Sequence, residues 1–141
     1  MMLIRELRKE DYEEYILLIN EFRPIDMYIT REKFEEIYDI ICKNSIIFVG
    51  ILDNQIICSA KLIIEQKFIH KLAKYGHIED VIVNKFKQKQ GFGDELIKYI
   101  VEYCKNEDFY KIRLMCSGDL VKFYKKNNFI INEINMSQSL K

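Results

Sequence analysis

The sequence predicts a single α+β (mixed α/β) domain: a mixed, partly antiparallel twisted sheet flanked by helices. Three observations carry this. The chain has 141 residues, 49% of them apolar, which suffices for one core and rules out two full domains. Two Ile-rich runs are separated only by Asp53-Asn54, a tight-turn signal, and so read as a β-hairpin. After the hairpin, strand-length apolar runs alternate with helical patterns in the order β-α-β-α-β, and a β-α-α stretch precedes it.

Each element has a local reason. Residues 2–7 alternate as a strand does. Asp11, with Glu14 three residues on, makes a capping box for a helix in which Tyr15, Leu18, Ile19 and Phe22 recur at 3.6-residue spacing. Residues 23–29 hold the only proline, Pro24, and read as a loop. Thr30 caps a second helix with Phe34, Ile37, Tyr38 and Ile41 on one face. Residues 45–52 and 55–66 form the hairpin, and a polar segment ending at Gly76 leads into a strand over 77–83. Gly91-Phe92-Gly93 opens a helix that buries Leu96, Ile97, Ile100, Val101 and Cys104. A strand over 109–116, a short helix over 120–126 and a last strand from 128 to about 137 complete the chain.

Composition excludes several functions. Twenty-two Lys and Arg balance twenty-two Asp and Glu, so net charge gives no basis for a nucleic acid partner. The charged start MMLIRELRKEDYEEY has no signal-peptide core, and no apolar run approaches about 20 residues, so no membrane role is expected and the protein reads as soluble and cytoplasmic. Cys42, Cys58, Cys104 and Cys116 form no CxxC pair and sit in apolar surroundings such as DIICKN and QIICSA. They read as reduced, packed thiols, and with only two histidines no metal site is expected.

The segment Gln88-Lys89-Gln90-Gly91-Phe92-Gly93 lies where a strand gives way to a helix. Two glycines let backbone amides approach a ligand without a Cβ between them, and the positive helix end adds to the attraction, so a pyrophosphate is the natural occupant. A P-loop requires Gly-Lys-Ser/Thr, whereas Asp94-Glu95 follows Gly93 here. A Rossmann turn requires a third glycine where Leu96 stands.

The Q-x-x-G-x-G pattern of Gln88, Gly91 and Gly93, with Phe123-Tyr124 downstream, resembles the acetyl-CoA-binding motif of the GNAT acetyltransferase superfamily. Within it, EQKFIHKLAKYGHIEDVIV and YKIRLMCSGDLVKFYKKNNF resemble segments of glucosamine 6-phosphate N-acetyltransferases. The likeness runs from the first strand to the last, as one N-acetyltransferase domain over 1–141, and is looser before residue 60, where ITREKF is its best echo. It implies acetyl transfer from acetyl-CoA, the cosubstrate, to the 2-amino group of the sugar phosphate, in amino sugar (UDP-N-acetylglucosamine) biosynthesis, by a homodimer whose sites are completed across the interface. Other acceptors, another amino sugar or small amine, and a non-catalytic acyl-CoA-binding module remain the alternatives.

The resemblance also implies roles. Val81, Ile82 and Val83 would bond the pantetheine arm as an added strand, and Gln88, Lys89, Gln90, Gly91, Phe92, Gly93 and Asp94 would hold the pyrophosphate. Glu79 and Asp80 would hold the sugar, with Glu79 accepting the ammonium proton directly or through water. As strand neighbours the two should point to opposite faces. Tyr124 would meet the leaving sulfur as general acid. Lys67, His70, Tyr110 and Lys111 correspond to sugar-phosphate contacts, with Lys67 and Lys111 on the phosphate, while His77 reads as structural. Met115, Leu120 and Ser139 depart from the family's Asp, Asn and C-terminal Arg, leaving Lys141 as the nearby cation, and Arg23 lies in a loop unlike the family's.

Overall fold

A computed structural model describes all 141 residues. The elements are β1 (Leu3–Glu6), α1 (Tyr12–Phe22), α2 (Arg31–Ile41), β2 (Ser45–Leu52), β3 (Gln55–Gln66), the single turn α3 (Ile69–Leu72), β4 (Lys74–Val83), α4 (Phe92–Asn106), β5 (Lys111–Leu114) and α5 (Val121–Lys125). The strands form one five-stranded sheet in the order β1-β2-β3-β4-β5, antiparallel up to β4, with β5 parallel to β4. That is the expected mixed sheet. Its hairpin turn has φ of 50° at Asp53 and 62° at Asn54, both left-handed as a two-residue turn of this hand requires.

The period-2 alternation of β2, β3 and β4 sends one set of side chains to each layer. Phe48, Ala60, Leu62 and Ile78 pack under Leu96, Ile97, Ile100 and Cys104 of α4. On the other face Ile47, Val49 and Ile82 meet Leu18 of α1 and Phe34 of α2. Helices α1 and α2 cover only part of this second face; the remainder, on β3, β4 and β5, carries the polar residues of the site. Thr30 caps α2 as expected, its Oγ1 accepting from the Lys33 amide at 3.1 Å.

Four expectations need correction. Asp11 does not cap α1 with Glu14: its carboxylate is taken by Arg5 at 2.8 Å and the Arg8 amide at 2.8 Å, while Glu14 accepts from the Ile56 amide. A bidentate guanidinium outcompetes a local cap. Gly76 lies inside β4, not at the end of a loop; a Cβ there would come within 2.9 Å of Leu62 Cδ1, so the residue serves close packing. Residues 128–137 form no strand, and Ile130, Ile131, Ile134 and Met136 are exposed; an alternating pattern supplies a face but not a neighbouring edge. Cys58 and Cys104 are packed, but Cys42 and Cys116 are exposed, because α2 and β5 end just before them.

Candidate active site

Strands β4 and β5 part company midway. Their pairing runs from Tyr75↔Lys111 to Ile78↔Leu114 and stops there, so Glu79, Asp80, Val81, Ile82 and Val83 continue without a neighbour on the β5 side. Their main-chain groups on that edge are open to a ligand lying as a surrogate strand.

At the far end of this opening stands the start of α4. Gly91 is its N-cap, with φ of 88°, and no side chain caps the first turn. The first amides of a 15-residue helix therefore point outward without partners. A Cβ on Gly91 would meet nothing within 4 Å, so the glycine is required by its left-handed backbone and the space before it is clear. A Cβ on Gly93 would lie 3.4 Å from both Phe123 Cζ and Val83 Cγ2, which brings the β4 end, the helix start and the Phe123-Tyr124 pair to one corner. Lys89 also has positive φ, at 62°. The side chains of Gln88 and Gln90 brace the turn by donating to the carbonyls of Val83 (3.2 Å) and Phe86 (3.3 Å). The Asp94 side chain is turned away to Lys98 and Asn127, each at 2.8 Å, and Lys98 above all holds its carboxyl below the usual range. Only its backbone faces the opening amid the other helix-start amides.

Tyr124 is 7% exposed, edge-on to Phe123 at 4.8 Å and Phe129 at 6.1 Å. Burial, with a smaller contribution from Cys116, pushes its phenol above the ordinary tyrosine value. It therefore keeps its proton at neutral pH and remains a donor.

The two carboxylates do not point apart. The register jumps from Lys61↔Glu79 to Ser59↔Ile82, so Asp80 and Val81 form a bulge, with φ of 53° at Asp80. That left-handed residue costs about 1 kcal/mol and turns the Asp80 side chain back toward the α1 face. There its Oδ2 lies 3.4 Å from Lys61 Nζ, and its charge reaches the Tyr15 phenol. Lys61 stands directly opposite Glu79, so both carboxylates flank one cation, while Glu79 itself enters no ion pair.

Toward the start of β4, four predicted residues gather around the buried ring of Tyr75. Lys67 Nζ is 4.9 Å from its centroid and Lys111 Nζ 5.8 Å, while His70 stacks on Tyr110 at 4.3 Å and Tyr110 on Tyr75 at 5.6 Å. Glu65 fixes Lys67 at 2.9 Å and His77 at 2.8 Å, and is held below the usual carboxylate range, chiefly by Lys67. His77 is thus a structural partner, as expected.

Three contributors were missed: Lys61, Tyr75 and Arg113. Arg113 lies 5.1 Å over the Tyr75 ring, one terminal nitrogen reaching Glu133 at 3.5 Å and its buried Nε unpartnered. Alternation could have found it, since Lys111 and Arg113 must share a face of β5. Tyr75 stands at Glu79's parity, four residues or about 13 Å along the strand. Cations at one end, paired carboxylates at the fork, and an open strand edge leading to free amides suit an acceptor carrying both an amine and an anion, together with an extended diphosphate-bearing donor.

No group of three or more His, Cys, Asp or Glu is placed to hold a metal ion, and no helix is long and apolar enough to cross a membrane. Among known proteins, the glucosamine 6-phosphate N-acetyltransferase 1 of Dictyostelium discoideum is 36% identical over 77% of this chain and 72% of its own length. The Candida albicans glucosamine 6-phosphate N-acetyltransferase is 31% identical over 86% of this chain and 85% of its own. The crystal structure of glucosamine-6-phosphate N-acetyltransferase from Arabidopsis thaliana superposes with a TM-score of 0.91 at 26% identity, covering 100% of this chain and 99% of that one. The profile of the acetyltransferase (GNAT) family matches residues 2–129, a span that includes the forked strands, the glycine turn and Phe123-Tyr124. By fold, site and sequence together, the chain is a member of the acetyltransferase (GNAT) family.

Proposed function

We propose that this chain transfers acetyl from acetyl-CoA to the 2-amino group of glucosamine 6-phosphate, giving N-acetylglucosamine 6-phosphate and CoA. The observation that carries the reading is the fork itself: β4 leaves β5 at Ile78, Glu79 stands at the parting, and the open edge runs directly to the uncapped start of α4.

In this reading the Val81, Ile82 and Val83 backbone takes the pantetheine arm, and the turn from Gln88 to Asp94 takes the pyrophosphate on its amides. Lys67 and Lys111 bind the sugar phosphate, with His70 and Tyr110 against the ring and Asp80 on the sugar near Glu79. Glu79 accepts the proton of the substrate ammonium, directly or through water. The freed amine forms the C–N bond at the thioester carbonyl, and the C–S bond breaks as the tetrahedral intermediate collapses. Tyr124 donates to the departing sulfur and supplies its proton; nitrogen sheds two protons in all, one that passes through Glu79 to solvent before attack and one lost from the tetrahedral intermediate, which balances the proton given at sulfur. A phenol held above its ordinary pKa does not ionise beforehand, so its proton is present when thiolate charge develops beside it.

We also place the product in UDP-N-acetylglucosamine biosynthesis and the enzyme in the cytoplasm, and infer that it works as a homodimer. Support for the dimer comes from the extended tail after α5, whose Ile130, Ile131, Ile134, Met136 and Leu140 are all exposed.

Thiol release from acetyl-CoA tests the function. Glucosamine 6-phosphate should be turned over faster than glucosamine, a polyamine or a lysine peptide. Equal turnover of the non-phosphorylated sugar would reject the phosphate assignment.

A further inference from the structure

Lys61 has no part in the chemistry just described, yet it stands among the groups that face the acceptor. It lies opposite Glu79 in the sheet, its ammonium is 3.4 Å from Asp80, and its side chain is only 25% exposed. A polar group received at this face is met by Lys61 together with the two carboxylates.

The charges decide what that group can be. Adjacent carboxylates alone would make a doubly negative pocket, which attracts any amine and a polyamine most strongly. With Lys61 between them the pocket carries a single net negative charge, enough for one ammonium. Around Tyr75, four residues along β4 from Glu79, the three cations Lys67, Lys111 and Arg113 still outnumber Glu65 and Glu133, the latter 3.5 Å from Arg113, and this net positive charge repels a second ammonium.

We propose that Lys61 is a specificity-determining residue, which by neutralising Asp80 restricts the acceptor to one amine and turns away polycationic amines. This rests on the reading of the Glu79 face as the acceptor site. It adds a criterion of charge to that of the phosphate.

The test is calorimetric titration of spermidine into CoA-saturated wild type, Lys61→Met and Lys61→Arg, with glucosamine 6-phosphate turnover measured in parallel. Lys61→Met should bind spermidine at least about tenfold more tightly than wild type, the order expected for removing one nearby charge from a half-exposed site. Lys61→Arg should behave as wild type. Equal spermidine affinity in wild type and Lys61→Met would overturn the proposal. So would tighter binding by Lys61→Arg, since shape rather than charge would then be at work. Lys61→Gln replaces the methionine variant if the latter does not melt cooperatively. Wild type that excluded spermidine through Lys61 but acetylated no glucosamine 6-phosphate would remove the sugar assignment and leave this one standing.

Discussion

Gly91 separates two effects that usually travel together. Its φ of 88° is a conformation that L-residues resist, while a Cβ there would touch no protein atom within 4 Å. Alanine at this position should therefore destabilise the free protein by about 1 kcal/mol from backbone strain alone, and valine by about 2 kcal/mol. For a chain of this length that corresponds to a fall in Tm of roughly 3 °C and 6 °C. Strain of this kind is present with and without ligand, so by itself it leaves affinity unchanged. Affinity changes only if the empty volume belongs to the diphosphate. Titration of folded Gly91→Val with CoA should then show Kd raised at least about tenfold, or 1.4 kcal/mol, whereas a pantetheine fragment without the diphosphate should bind as it does to wild type. A variant with lowered Tm and unaltered CoA affinity would refute the cradle and leave only a turn.

Tyr124→Phe should cut kcat by about 10- to 100-fold with little change in the KM for acetyl-CoA, as steady-state thiol release will read; undiminished kcat would remove the phenol from the chemistry. Glu79→Gln should lose most activity toward the acidic end of the pH-rate profile, where more of the acceptor amine is protonated, and a profile parallel to wild type would clear it of the base role. Burial pushes the Cys58 thiol up to about 12 and Cys104 to about 11, so at pH 8 a disulfide reagent should titrate two thiols, Cys42 and Cys116, and the other two only after unfolding. Asp94→Asn should lower stability by about 1 kcal/mol at pH 7 through the lost Lys98 pair and the weakened Asn127 contact. Because the folded carboxyl lies below its ordinary value, that difference should shrink as pH falls through the folded pKa, below 3.8, and a difference independent of pH in urea melts would contradict the assigned cause.

The legible parts of this sequence are those set by neighbours along the chain. Asp53-Asn54 dictates its hairpin, Thr30 its helix start, and Gly91 the entry to α4, because each acts within four residues. The glycine turn and the Phe123-Tyr124 pair were likewise visible as local patterns. What escaped depends on distant partners. No local feature of GHIEDV announces a non-glycine left-handed bulge at Asp80, and without it strand parity sends the two carboxylates to opposite faces. Lys61 acquires meaning only through its register with Glu79, and Asp11 was diverted by Arg5 from across a turn. The Ile-rich tail reads as a strand because hydrophobic alternation is local, whereas an edge to pair with is not.

The parting of β4 from β5 has a mechanical side as well. Only four paired positions attach β5 to the sheet, and the short helix bearing Tyr124 follows it directly. A molecule wedged into the gap would act as a keystone, tying the segment from β5 onward to the rest through its own amide groups. A filled gap would thus stiffen the very segment that carries Tyr124.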